Sequence, residues 1–155
     1  MSGCASRVDA DGWVADYKAT MASLPTGVCL AVASVDNAAI AVTVGTLGSV
    51  SLEPPIVQIS LKNNSRFLDK LLLETSFSMY VLADDQGACA THFARHPATA
   101  VPPQTLARAT AVIHCTMDEA LRKGDHTLVF GLVDQFEYRD RRPLVYYKTQ
   151  FWNVT

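Results

Sequence analysis

Thr43, Thr46, Ser49 and Ser51 stand close together, with Gly45 and Gly48 between them and apolar runs on either side. Hydroxyls and main-chain N–H groups, Val44 and Val50 supplying two of the latter, can meet the carbonyls of a flat neutral ring without bringing in charge. Glycine lets such a ring approach the backbone. The same residues also read as the solvated face of antiparallel strands. A second group, Ser60, Lys62, Asn63, Ser65 and Arg66, precedes and opens a helical pattern. Unpaired N–H donors at a helix start, joined by two cations and hydroxyls, suit a phosphate; an N-cap beside two surface cations is the alternative. The third group is Gly124-Asp125-His126, with Tyr146, Tyr147, Phe151 and Trp152 near the C-terminus. An imidazole beside aromatic rings could bind a stacked heteroaromatic ligand, although Gly-Asp is also an ordinary turn and the aromatics could be core or dimer residues.

Other chemistries lack their residues. His92 and His96 have the four-residue spacing of a metal-binding helix face, but Phe93 follows His92 where zinc proteases carry glutamate, and no third ligand is near, so no metal is expected. There is no serine-hydrolase elbow, Walker loop or dinucleotide-binding glycine motif. Cys4, Cys29, Cys89 and Cys115 have no CxxC spacing and read as reduced thiols, which suits a cytoplasmic protein. With 13 basic and 15 acidic residues in no long run, the formal charge of −2 implies no nucleic-acid partner. No secretory signal or bilayer-spanning segment is apparent.

These groups need strands and short helices to position them. The 155 residues, 49% hydrophobic and 18% charged, suit one globular domain over 1–155, with a disordered tail over 1–10. Trp13, Tyr17, Met21 and Leu24 predict an amphipathic helix over 11–24, capped by Asp9 or Asp11. Strands are expected at 28–35, 39–44, 49–52, 56–61, 77–82, 109–116, 127–138 and 144–148. Asp36-Asn37 would turn a hairpin between the first two, and a solvated turn over 139–143, with Arg139, Arg141 and Arg142, would join the last two. Helices are expected from Phe67 to near Glu74 and over 86–95, followed by a mobile loop containing Pro102 and Pro103. The architecture is mainly β, a closed or split barrel with short flanking helices.

The segments LPTGVCLAV from Leu24, TVGTLGSVSLEPPIVQISL from Thr43, FSMYVLADDQGACATHFA from Phe77, GDHTLVFGLV from Gly124 and PLVYY from Pro143 resemble, in order and spacing, the short-chain flavin reductases. These are the small reductase components of two-component flavin-dependent monooxygenases, and the likeness runs from about Tyr17 to Phe151. It implies an FMN-binding, Greek-key-like split β-barrel that is homodimeric, with flavin (FMN or FAD) in a groove near the subunit boundary, reduced by NADH or NADPH for an oxygenase partner. By matching positions, Thr26 and the segment Thr43 to Leu52 would contact the ring and ribityl chain. Ser60, Lys62, Asn63, Ser65 and Arg66 would hold the phosphate, and His126 and Tyr146 would face the nicotinamide. The likeness breaks at Gly45-Thr46-Leu47-Gly48, where relatives commonly carry Asn-Ser-Phe-Thr, and at Tyr80, often Asn; both changes are expected to touch the flavin groove. A barrel repurposed to carry flavin, or to act without nicotinamide-driven reduction, is the alternative.

Overall fold

The computed structural model describes residues 10–154. In chain order these form α1 (Ala10–Met21), β1 (Thr26–Gly27), β2 (Cys29–Val35), β3 (Ala38–Val44), β4 (Gly48–Leu52), β5 (Pro55–Lys62), α2 (Arg66–Leu71), β6 (Ser76–Val81), α3 (Gly87–Arg95), β7 (Thr99–Ala100), α4 (Pro103–Leu106), β8 (Ala111–Lys123), β9 (His126–Tyr138), β10 (Leu144–Tyr147) and β11 (Gln150–Asn153). Asp9, Cys4, the side chain of Asp11 and the tail expected over 1–10, Ala10 apart, lie outside the described residues.

Eight strands form one antiparallel sheet in the order β4-β5-β9-β8-β6-β2-β3-β7. The sheet curls until the chain after β3 meets β5. There the Ser60 amide donates to Thr46 Oγ1 at 2.9 Å, and the Thr46 hydroxyl donates to the Ser60 carbonyl at 3.2 Å. The Thr46 hydroxyl, with Gln58 Nε2 donating to the Thr46 carbonyl at 3.2 Å, thus closes the split barrel where no strand ladder does. A separate small sheet, β1-β10-β11, lies beside it.

β2 shows why its sequence reads as a continuous apolar run. Successive side chains of a strand point to opposite faces. Cys29, Ala31 and Ala33 enter the barrel interior with Phe67, Leu68 and Leu71 of α2, whereas Leu30 and Val32 pack outward with Ala90 and Phe93 of α3. Burial on both faces leaves no polar alternation. Asp36 and Asn37, with φ of 50° and 63°, turn β2 into β3 in the left-handed conformation that Asp and Asn tolerate. Burial pushes the Cys29 thiol up to about 12 and Cys115 up to about 11, so both are protonated core side chains near neutrality.

Several boundaries differ from the sequence reading for physical reasons. α1 stops at Met21, and Val14, Tyr17, Met21 and Leu24 are about half exposed rather than packed as a core face. β8 runs to Lys123 instead of Thr116; its last turns of pleat are solvent-facing, so no apolar alternation marks them. The segment 139–143 is no hairpin turn, because β10 pairs with β1 and β11 rather than with β9. Nor is it simply solvated: Arg139 donates to the Ala109 carbonyl, and Arg141 to the Arg108 carbonyl and to Asp85. The loop after Pro97 contains β7 and α4, and buries Val101. β11 is exposed at every position, which hid it.

Candidate functional site

Two cavities share one wall. The larger, about 530 Å³, is lined by Thr43, Val44, Gly45 and Thr46 from the end of β3, by Ser60 and Lys62 from β5, by Asn64, Ser65 and Arg66 at the entry to α2, by Ala94 and Arg95 from α3, and by His126. The smaller, about 380 Å³, is lined by the same Thr43–Gly45 and Ala94–Arg95, with Val28, Thr91, Tyr146, Thr149 and Phe151. Together they form one groove across the end of β3, each part within the ordinary range of roughly 300–1,000 Å³ for a small-molecule site.

One end of the groove is cationic. Lys62 lies directly opposite His126 in the β5–β9 ladder, so their side chains emerge on the same face. Arg66 follows the Ser65 cap, whose Oγ accepts from the Leu68 amide. Lys62, Arg66 and Arg95 form no ion pair among the described residues. Cations not taken up in ion pairs are a fitting donor set for a phosphate. His126 Nδ1 lies 2.8 Å from Asp125 Oδ1, and that hydrogen bond, then the charge of His126 and of Lys62, holds the Asp125 carboxyl below its ordinary value.

The opposite end is aromatic. Tyr146 and Phe151, on adjacent strands of the small sheet, have ring centroids 5.5 Å apart at 60°. Lys148 and Thr149, with φ of 47° and 63°, make the tight turn between those strands. Thr26 pairs with Tyr146 across β1 and β10, and its Oγ1 lies 3.0 Å from where a Cβ on Gly45 would sit. A side chain at Gly45 would therefore press on the Thr26 hydroxyl, which would have to give by a few tenths of an ångström.

Of the residues expected to bind, the structure brings Thr43, Val44, Gly45, Thr46, Ser60, Lys62, Ser65, Arg66 and His126 into the larger cavity and Tyr146 into the smaller. Two hydroxyls have other duties. Thr43 donates to the Ala90 carbonyl at 2.7 Å, tying α3 to β3, and Thr46 closes the barrel. Asn63 does not line the groove, because its amide is spent on a clamp: Nδ2 donates to the Gly124 carbonyl at 3.0 Å and Oδ1 accepts from Thr127 at 2.8 Å. Asn64 lines it instead. Ser49 and Ser51 line a different, largely apolar hollow with Leu52, Ile56, Phe136 and Tyr138, while Val50 is exposed at the irregularity between them. His126 and Tyr146 border different cavities rather than one. Tyr80 lines neither; it packs against the cluster under α3, so that departure from the relatives does not touch the groove. Sequence reasoning named Phe151 among the C-terminal aromatics but missed Arg95 and Thr91. A basic residue ending an amphipathic helix signalled Arg95, but nothing local tied it to the other cations. Among the described residues, no group of three or more His, Cys, Asp or Glu could hold a metal ion.

Known proteins are similar to this chain in sequence and fold. A family model for the flavin reductase like domain matches residues 21–155. The chain is 30% identical over 135 residues, spanning 85% of it and 91% of its relative, to the reductase component of 4-hydroxyphenylacetate 3-monooxygenase from Thermus thermophilus. It is 32% identical over 128 residues, 73% of this chain and 72% of the other, to an NADH:riboflavin 5'-phosphate oxidoreductase of Streptomyces pristinaespiralis. Among solved structures, BorF, the flavin reductase component of a bacterial two-component tryptophan halogenase, superposes with a TM-score of 0.82 at 27% identity, covering 91% of this chain and 98% of that one.

Proposed function

The chain belongs to the flavin reductase like domain family, and on that premise we propose that it is an NADH-dependent flavin reductase that supplies reduced FMN to a monooxygenase partner. The observation that carries this reading is the groove itself: cations without carboxylate partners at one end, an aromatic pair at the other, and a neutral strand end between. The reductase names of the relatives support it over a flavin carrier that makes no use of nicotinamide.

A bound flavin supplies the hydride acceptor and the reduced nicotinamide the donor; the chain's part is to hold, orient and shield. Lys62 and Arg66, with Ser65, hold the flavin phosphate. Val44 and Gly45 give the ring a surface without charge. Tyr146 and Phe151 offer the nicotinamide a stacking wall. His126, its Nδ1 side engaged by Asp125, borders the larger cavity beside Lys62, where it would stand near the flavin phosphate. The chain works as a homodimer, a reading supported by the exposure of Leu52, Phe136 and Tyr138 around one apolar hollow. It acts in the cytoplasm, where free Cys29, Cys89 and Cys115 stay reduced; no helix among the described residues is long and apolar enough to cross a membrane.

The test is to mix purified protein with FMN and NADH and follow the loss of nicotinamide absorbance. Turnover supports the proposal, and none with either NADH or NADPH sinks it.

A further inference from the structure

The smaller cavity has one charged residue in its lining, Arg95; the others are Val28, Val44, Gly45, Ala94, threonines and the two aromatic rings. Arg95 closes α3, is exposed, and forms no ion pair among the described residues. It also borders the larger cavity, but there Lys62 and Arg66 already supply positive charge. A cavity of about 380 Å³ accommodates the nicotinamide riboside half of a dinucleotide and not the whole. The diphosphate must therefore leave through an opening, and an anion passing out of an apolar, aromatic pocket needs a counter-charge.

Resting on the reductase reading, we infer that Arg95 is the residue that recognises the diphosphate of the nicotinamide dinucleotide, and so sets the preference for a dinucleotide over a nicotinamide lacking phosphate. A guanidinium suits this role because its planar fork can meet two phosphate oxygens at once. Thr43 fixes where Arg95 stands, since its hydroxyl holds α3 by the Ala90 carbonyl.

Binding, rather than turnover, tests the inference. NAD⁺ titrated calorimetrically into FMN-saturated protein undergoes no reaction, and the same experiment with nicotinamide riboside removes the phosphates. Arg95→Gln is expected to weaken NAD⁺ about tenfold or more while leaving nicotinamide riboside and FMN within about twofold, and Arg95→Lys to recover part of the loss. Unchanged NAD⁺ binding, no NAD⁺ binding by the unaltered protein, or an equal loss for the riboside would overturn it. So would a fall in FMN affinity as large as that for NAD⁺, which would give Arg95 to the flavin phosphate. Failure of the reductase reading is separable: the unaltered protein would then bind NAD⁺ in an Arg95-dependent way yet leave NADH unoxidised with FMN.

Discussion

The two ends of the groove are built by opposite means. The cationic end comes mainly from one stretch of chain, Ser60 to Arg66, pinned to the β8–β9 turn by neutral hydrogen bonds from Asn63, with His126 and Arg95 beside it. The aromatic end is assembled from β1, β10, β11 and α3, segments far apart in sequence. An ion-pair cluster anchors the loop leading into β10, with Asp85 accepting from Arg108 at 2.7 Å and Arg141 at 2.9 Å, and the Asp84 amide donating to the Arg142 carbonyl. One end is held chiefly by the neutral Asn63 clamp, the other by strand pairing and exposed charge. Binding at the two ends is therefore separable by mutation, and so is their tolerance of acid and salt.

The sharpest way to break this contrast is to remove both cations that border only the larger cavity. Lys62→Ala with Arg66→Ala is expected to weaken FMN by about 100-fold, two lost charge-assisted contacts, with little change in melting temperature; flavin fluorescence titration reads the first and a thermal melt the second. Equal weakening of NAD⁺ would merge the two ends. Asn63→Ala strikes the clamp instead. It strands the buried Thr127 hydroxyl and should lower unfolding free energy by about 1–3 kcal/mol in a denaturant titration, with FMN affinity falling as a consequence. Tyr146→Ala or Phe151→Ala should raise KM for NADH by roughly tenfold, as expected for a lost stacking surface, and leave FMN retention intact.

The smallest effect concerns pH. Hydrogen bonding from Arg108, then from Arg141, lowers the Asp85 carboxyl below its ordinary 3.8. Its stabilising contribution is thus complete above that value and is lost as pH falls through the lower folded value. Because the group is exposed, the loss is modest and high salt mimics it. As pH falls below 3.8, KM for NADH should rise in the unaltered protein, and Asp85→Asn should show that raised KM already at neutrality with a flatter acid limb. An acid limb identical in the variant would remove the cluster from the argument.

The same contrast explains what could be read from the residues alone. Ser60, Lys62, Ser65 and Arg66 are legible as one cluster because a strand end and a helix start put them together, and all four line the larger cavity. β2 is legible because burial on both faces writes itself as an apolar run. Arg95 is not, since its meeting with Tyr146 and Phe151 depends on β10 pairing with β1 rather than β9, a choice made by tertiary packing. The far part of β8 and all of β11 are solvent-facing and leave no period-two signature. Ser49 and Ser51 mislead for another reason: the irregularity at Val50 separates β4 from the end of β3, so closeness in sequence does not become closeness in space.

Thr46 and Ser60 both face the larger cavity and also hold the barrel shut. Ligand occupancy and the integrity of the scaffold are consequently one equilibrium rather than two: whatever settles against that wall also braces the joint behind it, and loosening the joint spoils the seat. A chain of this kind gains mechanical firmness from its cargo, and surrenders it again each time the cargo departs.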